Sequence, residues 1–368
     1  MSAGVVTPVR SSSAQTQVVN AFVEYVPIAQ FGIDAQHTGR SPHRAPHAVP
    51  SIHWRVRARH RVFASPIARD RGGVVFAGVD GGVHALDANG IEQWARVFDH
   101  EIFATPALLG HVIIVGRIGG RVSAIDPHGA TAWEYTASED VDAPIVVDRM
   151  TAYIAAHGVT AVDRDGRVRW TAAAPGHVFG APGVTRDGAT VYAADVLGNL
   201  LAIRARDGEI VRRTAVGQRV YGGVLVLDDG GVVLGTRDGH VRAFGPDGAA
   251  RWDFATHDEI HGTPALTRDG NVIIGSDDGG VYAIRATDGT QVWRTATSGR
   301  VRASAIIDNE GLVLIGSEDD MLYAIEPNGA VAWRLSIGAD IDDSVAIGED
   351  STVYVGSDDA GMYALSNR

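Results

Sequence analysis

The stretch IHGTPALTRDGNVIIGSDDGGVYAIRATDGTQVW, from Ile260 to Trp293, decides the fold. It divides into four short runs suited to a pleated surface. IHGTPALT comes first, and NVIIGS follows a turn at Arg268-Asp269-Gly270. VYAIRA follows Asp277-Asp278-Gly279-Gly280, and the run carrying Trp293 follows Thr287-Asp288-Gly289. The runs are β-branched and too short for helices. The turns hold Asp, which hydrogen-bonds its own backbone, and Gly, which accepts positive φ. Related stretches begin at Val62, Ile102, Val141, Val178, Val220, Ile260, Val301 and Ile341, in steps of 40, 39, 37, 42, 40, 41 and 40 residues. A period near forty made only of strands and turns is the signature of a β-propeller, one four-stranded sheet per repeat. The sequence therefore predicts an all-β chain, an eight-bladed β-propeller of four-stranded antiparallel blades.

The tryptophans give an independent check. All seven (Trp54, Trp94, Trp133, Trp170, Trp252, Trp293 and Trp333) fall at one repeat position. The eighth such position falls near Arg212. Trp54 precedes the first full repeat, and the repeat begun at Ile341 ends after its third strand. Units and fourth strands match only if the strand around Trp54 completes the last blade. Closing the ring this way removes two open sheet edges, which would otherwise invite aggregation. The expected organisation is one propeller over residues 31–368, preceded by a partly disordered N-terminal extension over residues 1–30.

AIRATDGTQVW resembles the tryptophan-docking motif, Ala-x-Asp-x-x-Thr-Gly-x-x-x-Trp, of the PQQ-type propellers, except that Arg285 stands where the motif has Asp. ALDANGIEQW, AIDPHGATAW, AVDRDGRVRW, AFGPDGAARW and AIEPNGAVAW are versions one residue shorter. FGIDAQHTGRSP, from Phe31 to Pro42, is similar to the lead-in of such propellers. That family comprises quinoprotein alcohol dehydrogenases and non-enzymatic eight-bladed scaffolds. The resemblance implies that the seven indoles pack across to the neighbouring blade, a role withheld from Arg212. In the dehydrogenases PQQ is held with calcium and stacked on two adjacent disulfide-linked cysteines. This chain has no cysteine and blades of near-minimal length, so the resemblance implies the fold and not the cofactor. The scaffold members are nearer in size.

Composition narrows the classes further. The formal charge is −12, and the 32 basic residues, all arginine, form no tract, which argues against a nucleic-acid partner. No run of eighteen apolar residues exists, so no membrane insertion is expected. The start, MSAGVVTPVRSSSAQTQ, lacks a basic and then apolar leader, and there is no lipid-anchor cysteine. These features lead to the expectation of a cytoplasmic, monomeric protein.

Local motifs carry little chemistry. Asp163-Arg164-Asp165-Gly166 resembles part of a calcium loop but lacks the later Glu, and it reads as an ordinary Asp-Gly turn. His37, His43, His47, His53 and His60 cluster before the first repeat with irregular spacing, which favours packed or surface histidines over metal ligands. No Ser-His-Asp order can be argued.

The repeats serve as their own comparison. Two residues after the opening Val or Ile the side chain is small in seven repeats (Ala64, Ala104, Ala143, Gly180, Gly222, Gly262 and Ala303), and Asp343 is the exception. The residue between varies: Phe63, Phe103, Asp142, Phe179, Tyr221, His261, Arg302 and Asp342. So does the residue before the opening one: Arg61, Glu101, Asp140, His177, Arg219, Glu259, Arg300 and Asp340. Both positions lie where one blade hands over to the next, on the face where propeller connections gather. Variable aromatic and charged groups around a concave mouth make a candidate binding site. The expected function is a non-catalytic scaffold recruiting a protein or peptide partner there, without cofactor or metal. The alternative is an enzyme, or a sugar- or small-molecule-binding module, using the same channel mouth. Asp140 and Asp142 on the third blade should face Arg300 and Arg302 on the seventh, giving an acidic edge opposite a basic one.

Overall fold

The computed structural model describes residues 30–69 and 72–367, so the expected extension lies, Gln30 apart, outside the described residues. These residues form eight four-stranded antiparallel sheets. Blade 1 runs outward from the axis as Ile67–Ala68, Val74–Ala77, Gly82–Leu86 and Glu92–Val97. Blades 2 to 7 repeat that order. Blade 8 is assembled from both ends of the chain: Ala346–Ile347, Val353–Gly356 and Gly361–Ser366 are joined by Ser51–Arg57 as the outer strand. That closing strand pairs Ser51 with Ser366 and Arg57 with Gly361. Its ladder is irregular between Ile52 and Trp54, and each other outer strand has the same irregularity one residue before its Trp, or before Arg212. A bulge re-aims the side chain that follows it. Here it turns the indole toward the next blade.

Each indole then meets that blade's outermost turn. Trp54 Nε1–H donates to Ala88 O at 2.9 Å, and a Cβ on Gly90 would lie 2.8 Å from the Trp54 ring, so only glycine fits beneath it. The same donation runs from Trp94 to Pro127, Trp133 to Arg164, Trp170 to Ala205, Trp252 to Ala286 and Trp293 to Pro327. Trp333 has no such covalent turn to meet in blade 8, and its indole donates instead to Pro46 O, at 2.7 Å, just ahead of the closing strand. Arg212 lies against Gly248 in the corresponding place.

Nearer the axis, the opening Val or Ile of each blade wedges onto the sheet before it. A Cβ on Gly316 would lie 2.3 Å from Ile341, and one on Gly356 would lie 2.7 Å from Val62, which seals blade 8 onto blade 1. Such close-packed seams explain why the opening residue is always β-branched.

The inner strands are shorter than the sequence suggests. IHGTPALT reads as a strand, yet only Ala265–Leu266 pairs within its sheet. The upper half of each inner run turns its polar groups to the neighbouring blade instead. Gly223 N donates to Thr263 Oγ1 (2.7 Å), Thr263 N to Ser304 Oγ (2.8 Å), Ser344 N to Ser65 Oγ (3.2 Å) and Ser65 N to Thr105 Oγ1 (3.1 Å). With Ser344 Oγ donating to Ser304 O at 2.8 Å, these bonds stitch blades 5 through 8, 1 and 2 around the axis and satisfy amides that have no ladder partner.

The segment before the closing strand belts the opposite end. Gln30 bonds Val147 of blade 3, then Ala35 O, Gln36 O, Thr38 O and Gly39 O accept from Val184, Val226, Leu266 and Ile307 of blades 4 to 7 in turn. One stretch of chain thus ties five blades before it enters the eighth. Phe31, 6% exposed, sits between two cavities of about 490 and 570 Å³ at the two ends of the channel.

Candidate functional site

The eight residues of the variable ring (Phe63, Phe103, Asp142, Phe179, Tyr221, His261, Arg302 and Asp342) all line the cavity of about 490 Å³. Its floor is made by Phe31, Thr105, Thr263, Ser304 and Asp343. The fold brings them together because each stands at the top of an inner run, one step from the axis. The residues before the opening Val or Ile stand further out, as a rim. Their carbonyls accept from the second hairpin turn of the same blade, as in Val79 N to Arg61 O (3.1 Å), Asp277 N to Glu259 O (2.9 Å) and Asp358 N to Asp340 O (3.1 Å). Connections and hairpin turns therefore share one face.

The aromatic side chains are in the mouth and not between blades. Phe179 is 36% exposed, while Phe63, Phe103 and Tyr221 are half-buried. They form two groups. Phe63 and Phe103 meet edge to face at 5.8 Å. His177, Phe179, Tyr221 and His261 form a continuous arc with centroid separations of 4.4, 5.4 and 5.9 Å. Asp142 lies between the groups and bonds His177 Nε2 at 2.9 Å. This bond to Asp142, joined by one to Glu139, raises the His177 pKa and holds the imidazole against Phe179.

The expected opposition of acid and base across the mouth is not what the structure shows. Arg302 is held by Asp277 at 2.8 Å and Glu318 at 3.1 Å, and Arg300 approaches the same two carboxylates at 3.9 and 4.0 Å. Asp140 accepts from Gly119 N at 2.7 Å, and Asp142 is paired with His177. The arginines are neutralised by their own neighbours, Asp142 is paired with a histidine, and Asp140 is held by a backbone amide. The polarity that remains is of another kind. The second hairpin turns of blades 6 to 8 carry Asp277, Asp278, Glu318, Asp319, Asp320, Asp358 and Asp359, and Asp340 and Asp342 stand beside them. On blades 2 and 4 the matching turns carry Ile118, which lines the cavity, and Leu197, which is 65% exposed. The hairpin turns around the mouth are thus acidic on blades 6 to 8 and apolar on blades 2 and 4.

Two carboxylates are under strain in this setting. Burial, followed by the charges of Asp358, Glu318 and Asp340, pushes the Asp342 pKa up to about 6, and its Oδ1 has no hydrogen-bond partner. Burial pushes Asp343 up to about 7, although it accepts from Ser65 Oγ and from Ser344 N at 2.7 Å. Sequence reasoning set Asp343 aside as the exception to a small-residue rule, and it read Asp277 as part of an ordinary turn. The signal for both was the same, a carboxylate where the other repeats do not need one.

The other expectations resolve simply. Asp163 Oδ1 accepts from Asp165 N and Arg167 N, both at 2.9 Å, as an ordinary turn does. The early histidines are not brought together: His37 is buried with Nδ1 3.0 Å from Val224 O, His47 meets Asp308, and His53 and His60 are exposed. Among the described residues, Glu259, His261 and Asp277 have metal-binding geometry, but Arg237 holds Glu259 at 2.9 Å and Arg302 holds Asp277. With its carboxylates so engaged and no cysteine pair in the chain, the mouth does not fit PQQ and its calcium.

A family model described as outer membrane protein assembly factor BamB matches residues 50–158, 155–252 and 237–334, most of the chain. The chain belongs to that family. Among solved structures, BamB from Moraxella catarrhalis is similar with a TM-score of 0.71 at 17% identity, covering 86% of this chain and 100% of that one. A europium-containing methanol dehydrogenase is similar with a TM-score of 0.75 at 12% identity, covering 89% and 90%. The quinohemoprotein alcohol dehydrogenase from Comamonas testosteroni reaches 0.75 at 11%, covering 91% and 80%. These likenesses establish the shared propeller. Comparison with curated proteins finds no match. The BamB family description also corrects the expectation of a cytoplasmic protein, because it concerns assembly at the outer membrane. That expectation rested on features at the chain's start, which are not a property of the propeller. Among the described residues no helix is long and apolar enough to cross a membrane.

Proposed function

We propose that this BamB-type propeller is a non-catalytic scaffold that takes a peptide segment of a protein partner into its top-face mouth. The observation that carries the reading is the ring itself. Eight positions that differ from repeat to repeat line one cavity, and aromatic rings supply five of them, His261 included. Partly exposed aromatic anchors inside a rigid rim are what a protein partner uses for most of its affinity. The description of the family as an assembly factor supports the same reading, with the partner a component of such an assembly. A flat sugar-like ligand would need free ring faces. Phe179 and Tyr221 stack on each other with 24° between their planes, which occupies one face of each.

The test is selection from a displayed random-peptide library on the wild-type chain and on Phe179→Ala/Tyr221→Ala. The wild type should enrich peptides that the double variant, with an unchanged melting temperature, does not hold. Enrichment of the same peptides by both proteins would refute the mouth as the binding surface.

A further inference from the structure

The acidic side of the mouth specifies the chemistry of the occupant. Asp343 stands where seven repeats carry Ala or Gly, so the propeller does not require a carboxylate there. It is nonetheless half-buried in the floor, beside Asp342. Asp342 lines the cavity with one oxygen that has no hydrogen-bond partner. A carboxylate withdrawn from water without a partner is costly, and natural folds keep one where something else completes it.

The arginines nearby do not complete it. Arg302 is committed to Asp277 and Glu318, and Arg61 lies 3.6 Å from Asp358 with its guanidinium 5.5 Å from the Phe63 ring centre. In the ring order Asp342 is followed by Phe63 and Phe103. A free carboxylate oxygen beside aromatic rings is the pairing that suits a guanidinium or ammonium group, through charge and through the ring quadrupole together. Beyond this corner the cavity wall carries Phe179, Tyr221 and Ile118, with the one carboxylate there, Asp142, paired to His177.

From this arrangement we infer that the mouth recognises a peptide segment bearing an arginine or lysine next to an aromatic or aliphatic residue. The cation completes Asp342, and the apolar neighbour lies on the Phe179–Tyr221 side. The inference rests on the peptide-binding reading above and adds the ligand's chemistry to it. Anionic partners, phosphate-bearing ones included, are disfavoured by the same carboxylates. The charged groups facing Asp342 are Asp340, Asp343, Asp358, Glu318 and Arg302. With four acids against one base, protonation of Asp342 below about pH 6 should weaken the cation site.

The probes are N-acetyl-Phe-Arg-amide and its citrulline and glutamate counterparts, titrated against the full chain by NMR at pH 7.5 and pH 5. Citrulline keeps the shape of arginine without its charge. The arginine probe should bind at least tenfold more tightly than the citrulline one at pH 7.5, and less so at pH 5. Asp342→Asn should erase the preference while leaving citrulline binding unchanged. The citrulline comparison stands alone should that variant fail to fold. Equal binding of all three probes, lost together in Phe179→Ala/Tyr221→Ala, overturns the cation site and leaves the peptide reading intact. No binding of the arginine probe at millimolar concentration also overturns it, and the library selection then decides the broader reading independently.

Discussion

Trp170 and Arg212 hold the same place in consecutive blades, and the contrast between them measures what a docking indole contributes. Trp170 is 7% exposed, and its Nε1–H reaches Ala205 O at 2.8 Å over the glycine of the next turn. Arg212 is half-buried and covers Gly248 with its aliphatic stem. Trp170→Ala should cost about 3–5 kcal/mol, as other buried large-to-small changes do. Arg212→Ala should cost about 1 kcal/mol or less, the range of most surface changes. Denaturant melts of the two variants check this, and equal losses would contradict it. Asp343 supplies a second prediction at this scale. Its folded pKa, about 7, lies above the ordinary carboxylate value, so the folded state binds the extra proton. Stability from this group is therefore whole below about pH 4 and falls as pH rises toward 7. Asp343→Asn keeps the acceptor for Ser65 and removes the charge. Its melting temperature should exceed that of the wild type at pH 7.5 and match it near pH 4. A variant less stable than the wild type at pH 7.5 would show that the charged form is compensated.

The closing strand and the belt are separable elements, and truncation tells them apart. Removing residues 1–60 takes away Ser51–Arg57, so it bares the edge of Gly361–Ser366, and the chain should aggregate. Removing residues 1–49 keeps that strand but loses the carbonyls that serve Val184, Val226, Leu266 and Ile307. The ring should then form with a lower melting temperature, measurable by scanning calorimetry. A monomeric, fully stable chain lacking residues 1–60 would exclude closure through both chain ends. The blades and their closure were legible in the sequence because repetition supplies eight copies of each position. The belt was not, since it occurs once and its bonds come from carbonyls, which carry no side-chain signature. Inner-strand length was also hidden: IHGTPALT has strand composition throughout, but its Thr263 amide is drawn to Ser304 in the next blade. The ring of mouth residues was readable as the positions where the repeats disagree. Its electrostatics were not, because Asp277 and Glu318, which hold Arg302, lie in hairpin turns, where variation from blade to blade reads as ordinary loop variation.

At the scale of the whole molecule, the chain carries a net charge of −12 and gathers rim carboxylates on blades 6 to 8, opposite the exposed Leu197 and Phe179. Two forces are thus assigned to two sides of one opening. Charges on a rim act mainly on the rate of encounter, whereas anchors in the cavity act mainly on the rate of escape. A basic peptide selected on the mouth should therefore associate more slowly as salt rises, since the Debye length shrinks to about 8 Å at 0.15 M ionic strength and shortens further beyond it. Asp340→Asn/Asp358→Asn removes two rim charges that do not line the cavity. In stopped-flow measurements it should slow association at low salt by about two- to tenfold and flatten the salt dependence, with dissociation little changed. Phe179→Ala/Tyr221→Ala should do the reverse: dissociation faster by at least tenfold, with the salt dependence of association intact. The assignment of steering to one side and holding to the other fails if both double variants alter the same rate constant.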